Sequence, residues 1–447
     1  MLSRLRSPWT WAVLLGVVAI VVVVVMVASG GGSDEDGPAV GVIDRGPSTP
    51  IEINAGVPIV IGVSTALTGS AGERGAEYRD AVITSVNRWK EANGDQIAGH
   101  DIEIWSEDDG CTAVDHATIA ARRLLGLEGL VGVIGPQCSG GAQSVIRTYY
   151  PDAGVVTISG SATRTDLTTD QARDGFFFRT AYRNDLEGIF IGLFLIDLGA
   201  ESVYVIDDNE PFGRDLAGAA EALLRDGDVD VTRRAINQGT VDFSALAGEI
   251  ATDNPGFVVF TGFNPEAALL YRQIRDAGYE GLFGAGDAAA SVANFVEPVG
   301  AEEAEGVLFS GCQYPLSADF LEDFVDVHGQ EPDATFTAQY ADAVTVLLDA
   351  VKKVAEDEGG KLVIQPTELR DAVRATDIRD GISGALAFDA NGDRVPKPGD
   401  SLSDVQDAAL EARQEDIYTT LGLIPCEVQG GQLVAGGGPG AVEIGLP

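Results

Sequence analysis

From Val57 onward, short apolar runs alternate with longer stretches of helical periodicity. Val57–Ser64, Ile102–Ser106, Leu130–Ile134 and Val155–Ile158 are largely apolar and stop at Gly, Ser, Thr or Glu, which suits strands buried in a parallel sheet. Between them, helices are predicted over about Glu73–Asn93, His116–Gly126 and Ala142–Tyr149, with Ile119, Ala120, Leu124 and Leu125 on one side of the second. After Phe176–Arg179 a second series begins. Helix Asp185–Leu198 leads to strand Ser202–Ile206, helix Arg214–Asp226 to strand Val229–Ala235, helix Phe243–Thr252 to strand Phe257–Thr261, and helix Pro265–Ala277 to strand Leu282–Ala285. Such alternation means βαβ units and parallel sheets, and two series mean an α/β chain with two doubly wound lobes. A third segment, Gly306–Phe388, adds strand Gly306–Ser310 and the long helix Thr335–Asp357 and must rejoin one of the lobes. Asp389–Asp400 reads as a turn, and Asp416–Leu423 and Glu427–Val434 as closing strands. No internal repeat points to a solenoid.

The N-terminal region is of another kind. Arg4 and Arg6 precede the charge-free run Trp9–Ala28, which is long enough to span a bilayer and long for a signal-peptide core. The arginines predict a cytoplasmic N-terminus with the remainder outside. Val27-Ala28-Ser29 also suits a signal-peptidase site, so residues 1–29 are expected to be either a membrane anchor or a cleaved signal peptide. With no Cys near the end of the run, a lipoprotein anchor is excluded. Residues 30–56, rich in Gly, Ser, Pro and Asp over Gly30–Pro50, are expected to be a flexible linker.

Across 447 residues there are 69 acidic and 29 basic side chains, a net charge of −40. Nucleic-acid binding needs the opposite sign, and an anionic membrane surface would repel this body. The excess reads otherwise as a solubilising surface. The four cysteines, Cys111, Cys138, Cys312 and Cys426, allow three pairings in an oxidising compartment. If the strands preceding Cys111 and Cys138 are parallel neighbours, both sulfurs emerge at one sheet edge within bridging distance, and Cys312–Cys426 follows by elimination. The cysteine spacings fit no zinc pattern, and His100, His116 and His328 lie far apart, so no metal or other cofactor is expected.

Two clusters end the strands Leu130–Ile134 and Val155–Ile158: Gly135, Ser139, Gly140 and Gly141, then Ser159, Gly160, Ser161 and Thr163. Small hydroxyl residues there, with backbone N–H groups of a helix start, make a site for a small anionic group at the carboxyl ends of the strands. Asp287 ends strand Leu282–Ala285 in the second series. It either caps a helix over Ala288–Phe295 or faces the cleft as a carboxylate able to receive a ligand cation. Phe212 and Phe263 follow strand ends and either fill the core or line a pocket. Gly69-Ser-Ala-Gly-Glu-Arg-Gly75 has the wrong spacing for a dinucleotide fingerprint, and Asp389, Asn391 and Asp393 read as a hairpin turn rather than a calcium loop. No nucleophile elbow or phosphate loop is present, and with three scattered histidines no enzymatic activity is expected.

Val60-Ile-Gly-Val-Ser-Thr-Ala-Leu-Thr-Gly69, Cys111, Gly135-Pro-Gln-Cys-Ser139, Ile158-Ser-Gly-Ser-Ala-Thr163, Asp242-Phe-Ser-Ala-Leu246 and Phe388-Asp-Ala-Asn-Gly-Asp393 follow in order. Together they resemble the periplasmic leucine/isoleucine/valine-binding proteins, type I solute-binding proteins of ABC transporters. The resemblance implies two Rossmann-like lobes joined by three crossovers, with 57–180 and 309–388 in the first and 181–308 and 389–447 in the second. It implies a non-enzymatic, extracytoplasmic protein that captures an amino acid or similar carboxylate-bearing solute for a permease. A membrane-anchored sensory ectodomain on the same fold is the alternative. By resemblance, Ser139, Ser161 and Thr163 hold the ligand's α-carboxylate, and Asp287, in place of Glu, binds its α-ammonium. Phe212 and Phe263 match positions that are often Tyr. Arg74 matches a position that carries Trp in leucine-binding members, and a cation there suits a polar or acidic ligand rather than a purely aliphatic one. The family's disulfide matches Cys111–Cys138, whereas Cys312–Cys426 departs from the simplest members and would tie the third segment to the C-terminal strands near the hinge.

Overall fold

The structure, a computed structural model, describes residues 46–169, 175–412 and 423–435. The run Trp9–Ala28, most of the linker, and residues 416–422 of the expected strand Asp416–Leu423 lie outside them. Among the described residues no helix is long and apolar enough to cross a membrane.

The first lobe is built from β1 (Ile59–Thr65), α1 (Gly72–Asn93), β2 (His100–Asp108), α2 (Val114–Leu125), β3 (Leu130–Ile134), α3 (Ser139–Val145), β4 (Val156–Ser159) and β5 (Phe177–Arg179). These strands run parallel in the order β2-β1-β3-β4-β5, and Gln96–Ile97 pairs antiparallel with β2 to complete a six-stranded sheet. β1, β3 and β4 are buried throughout, as their uninterrupted apolar sequences require when helices cover both faces.

The second lobe follows with α4 (Asn184–Asp197), β6 (Ser202–Asp207), α5 (Pro211–Asp226), β7 (Asp230–Ala235), α6 (Ser244–Asp253), β8 (Phe257–Phe260), α7 (Asn264–Asp276), β9 (Leu282–Ala285) and β10 (Leu308–Cys312). The chain then returns to the first lobe. α8 (Ala318–His328) and α9 (Thr337–Val354) pack on α1, with Tyr340, Val344, Leu347 and Val351 buried in the first lobe's core. A three-stranded sheet, β11 (Asp377–Gly381), β12 (Gly384–Phe388) and β13 (Arg394–Val395), precedes α10 (Leu402–Ala412). Finally β14 (Ile424–Gln429) and β15 (Gln432–Ala435) join the second sheet, whose seven strands run β15-β14-β10-β9-β8-β6-β7. β10 thus lies in the second sheet beyond the boundary expected at 308/309, and Arg394–Val395 pair with β12 and not with a second-lobe strand.

Several expectations change in detail. Glu427–Val434 is not one strand. Gly430 and Gly431, with φ of 58° and 80°, fold it into the β14–β15 hairpin. The helix expected over Ala142–Tyr149 starts at Ser139 and ends at Val145. Ile119 is 48 % exposed, while Ala120, Leu124 and Leu125 on α2 are buried. Cys111 and Cys138 stand at disulfide distance, but β2 and β3 are not neighbours. They flank β1, and the pair bridges across its carboxyl end. Cys312 and Cys426 also stand at disulfide distance, on the adjacent antiparallel strands β10 and β14 of the second sheet, and Cys312 is the last residue of β10 before the chain crosses to the first lobe.

Candidate functional site

The carboxyl ends of both sheets face one cleft. Gly75, in the first turn of α1, is where the helix meets β1: a Cβ there would lie 1.8 Å from the Ala66 carbonyl oxygen. Only glycine lets α1 come this close, and the approach brings Arg74 and Tyr78 to the cleft. Beside it, Asp109 is fully buried and accepts bonds from the backbone N–H groups of Cys111 and Gln137 and from Ser64 Oγ. Burial pushes this carboxyl up to about 6. Asp109 thereby fixes the loop that presents Gln137, Cys138 and Ser139.

Ser139 opens α3, and its Oγ accepts from the Arg164 N–H at 3.1 Å, which leaves its own proton to donate. Ser161 donates to the Gln137 carbonyl at 2.7 Å and meets the Tyr340 hydroxyl at 3.0 Å. Its proton is already committed. Thr163 is buried, and among the described residues its hydroxyl has no hydrogen-bond partner. Arg179, fully buried, donates Nη1 to the carbonyls of Ala162 and Arg164 on either side of Thr163, and Nε to Asp393 at 2.6 Å. The turn that begins at Asp389 therefore supports the loop that carries Thr163, and its Asp393 carboxylate is occupied by Arg179, Arg183 and Thr168.

From the second lobe, Asp287 follows β9 and starts a short 3-10 turn that it does not cap with its side chain. The π-helical turn that follows is capped instead by Ser291 Oγ. The Asp287 Oδ2 accepts from the Tyr182 hydroxyl at 2.9 Å, while Oδ1 has no partner among the described residues. Burial pushes Asp287 up to about 6, although Tyr182 and the positive charge of Arg74 pull the other way. Behind it, Glu187 accepts the Asp287 N–H at 3.0 Å, and burial holds its carboxyl well above the usual carboxylate range. Phe212 and Phe263 pack against each other with ring centroids 5.5 Å apart.

All seven residues singled out for ligand contact, Arg74, Ser139, Ser161, Thr163, Phe212, Phe263 and Asp287, border one cavity of about 340 Å³. Sequence reasoning missed Tyr78, Gln137 and Phe336, which border it too. Tyr78 lies one helical turn after Arg74 and stacks on Tyr340 at 4.3 Å, so the helical period from Arg74 was an available signal. Gln137 stands between the two clusters' strands beside Cys138, and Phe336 gave no local signal. The lobes are bridged by Arg74 Nη2 to Asn264 Oδ1 at 2.6 Å, Thr112 Oγ1 to Gln238 Oε1 at 3.2 Å, and the Thr165 N–H to Asp215 Oδ2 at 2.8 Å. Hydroxyl donors on one wall, a buried carboxylate on the other and aromatic rings between them suit a small zwitterion. Among the described residues no group of His, Cys, Asp and Glu is placed to hold a metal ion.

A family model described as periplasmic binding protein matches residues 58–400. The leucine-, isoleucine-, valine-, threonine- and alanine-binding protein of Pseudomonas aeruginosa is 25 % identical over 340 residues, covering 75 % of this chain and 87 % of the relative. Among solved structures, the leucine-binding protein LivK of Thermotoga maritima superposes with a TM-score of 0.68 at 23 % identity, over 84 % of this chain and 97 % of its own. The branched-chain amino acid substrate-binding protein LivJ of Streptococcus pneumoniae, solved with isoleucine, gives 0.68 at 22 % identity, over 85 % and 98 %.

Proposed function

The chain belongs to the periplasmic binding protein family, and we propose that it captures an α-amino acid or similar small carboxylate-bearing solute between its lobes for an ABC transporter. One observation carries this reading: first-lobe hydroxyls and a second-lobe carboxylate converge on the same cavity. Ser139 and Thr163 supply donors for the ligand's carboxylate, with Ser161 holding the loop that carries them. Asp287 supplies the acceptor for its ammonium, and Phe212 and Phe263 wall the side chain. Charge-assisted bonds in a closed cavity are stronger than in water, so a solute that joins both lobes favours the closed state by its difference in affinity for the two.

The same reading places the body outside the cytoplasm, with residues 1–29 as its membrane anchor or export signal. N-terminal sequencing of the protein from intact cells distinguishes these, since a new terminus near Ser29 would remove the anchor. The site is tested by calorimetry with L-leucine and L-glutamate on the parent and Asp287→Ala. The substitution is expected to weaken whichever amino acid binds by at least tenfold while leaving the fold intact. Unchanged affinity in the variant would discard the zwitterion site.

A further inference from the structure

The cavity does not end at Arg74. A second chamber of about 670 Å³ adjoins it, and Arg74, Gln137 and Phe263 border both. The two differ in character. The inner chamber has aromatic walls and hydroxyls, whereas the outer one is lined by the amides Gln238, Asn264 and Asn294, the hydroxyls of Thr68, Ser70 and Thr112, and the carboxylate of Glu73. Arg74 stands at the junction and, among the described residues, is the outer chamber's one basic lining residue. Its Nη2 is held by Asn264 from the opposite lobe. Among the described residues no carboxylate lies within ion-pairing distance of it. Its neighbour Glu73 accepts instead from Asn294 Nδ2 at 3.3 Å. In a chain of net charge −40, Arg74 stands at a lobe interface with no carboxylate in direct contact, although its charge acts on Asp287.

We propose that the outer chamber receives a second, distal carboxylate of an α-amino acid whose head group occupies the inner chamber, with Arg74 as its counter-cation. The inference rests on the amino-acid reading above and names the ligand class within it. A guanidinium has five N–H donors in a planar fork, and one bond to Asn264 leaves a face for a carboxylate. An aliphatic side chain would leave that cation partly desolvated and unpaired once the lobes close, which disfavours leucine-like solutes. The Asn264 bond also means that closure itself sets the guanidinium's position, so selection for the distal group is made in the closed state.

The full-length chain is titrated calorimetrically at pH 7.5 with L-glutamate, L-2-aminoadipate, L-glutamine and L-leucine, and again as Arg74→Leu. In the parent, one of the two dicarboxylates is expected to bind at least tenfold more tightly than both glutamine and leucine. Arg74→Leu is expected to lower dicarboxylate affinity at least tenfold more than leucine affinity. The proposal is overturned if glutamine or leucine binds best in the parent, which leaves the amino-acid reading standing. It is equally overturned if Arg74→Leu weakens all four alike, because Arg74 would then serve only as counter-charge to Asp287. Silence toward all four in the parent removes both the proposal and the reading beneath it. The ranking in the parent needs no variant, so it decides the matter even if Arg74→Leu does not fold.

Discussion

Thr163 and Ser161 stand on one loop, yet their hydroxyls are in opposite states. Ser161 donates its hydrogen bond to the Gln137 carbonyl and meets Tyr340, whereas the buried Thr163 hydroxyl is unmatched among the described residues. A hydrogen bond to a charged group contributes about 1.5–3 kcal/mol. Thr163→Val keeps the shape and removes the donor, so calorimetry should find affinity for the cognate amino acid reduced roughly ten- to a hundredfold. Ser161→Ala should cost less affinity and instead lower the melting temperature, because it strands the Tyr340 hydroxyl. Equal losses in the two variants would show that both hydroxyls touch the ligand. At this scale the sequence was partly legible. Hydroxyls just past buried strands announce an anion site, but which of them is free depends on Gln137 and Tyr340, and Tyr340 arrives from a distant helix. Glu187 and Tyr182, which buttress Asp287, were illegible for the same reason.

Elements behave likewise. Strands β1, β3, β4, β6 and β8 are readable because burial on both faces demands continuous apolar runs, and β3 and β9 match their predicted limits. The β11–β12 pair was not readable, since β11 is mostly polar and exposed and carries no apolar signature. Two contacts between elements hold the site and lend themselves to test. At Gly75 any side chain collides with the Ala66 carbonyl, and that backbone atom cannot move without disturbing β1. Gly75→Ala should therefore push α1 outward, losing ligand affinity together with stability in thermal melts. The second contact is Arg179 with Asp393, both buried. Removing one partner of a buried pair costs about 3–5 kcal/mol. Asp393→Ala should lose about that much in chemical unfolding and free the loop that carries Thr163, whereas a loss under 1 kcal/mol would mean that the turn does not support the site.

On the scale of the whole molecule, binding and stability should respond to pH in opposite directions. Asp109, Asp208 and Asp287 are pushed up by burial to about 6, about 7 and about 6, from roughly 3.9 in an unfolded chain. The folded state thus holds more protons than the unfolded one between about pH 4 and pH 7, so stability present at low pH is lost as pH rises through the folded values. Self-repulsion within a chain of net charge −40 at pH 7 acts in the same direction, and added salt should relieve that part of the loss. The melting temperature without ligand should accordingly fall from pH 5 to pH 8. Asp208 does not border the cavity, and it accepts from the Glu210 N–H at 3.1 Å through Oδ1, while Oδ2 has no partner among the described residues. Asp208→Asn should raise the pH 8 melting temperature by roughly 3 °C or more, the pH 5 value by less, and the pH 4 value hardly at all. Binding runs the other way, because an ammonium needs Asp287 ionised. Below about pH 6 a proton competes for that carboxylate, and affinity should fall about tenfold for each further pH unit. Ligand-induced stabilisation should therefore grow with pH while the unliganded protein weakens. Asp208→Asn should flatten only the stability profile, and Asp287→Asn should flatten the pH dependence of binding at a lower affinity. If affinity stays constant from pH 5 to pH 8 in the parent, Asp287 is not the group that meets the ammonium.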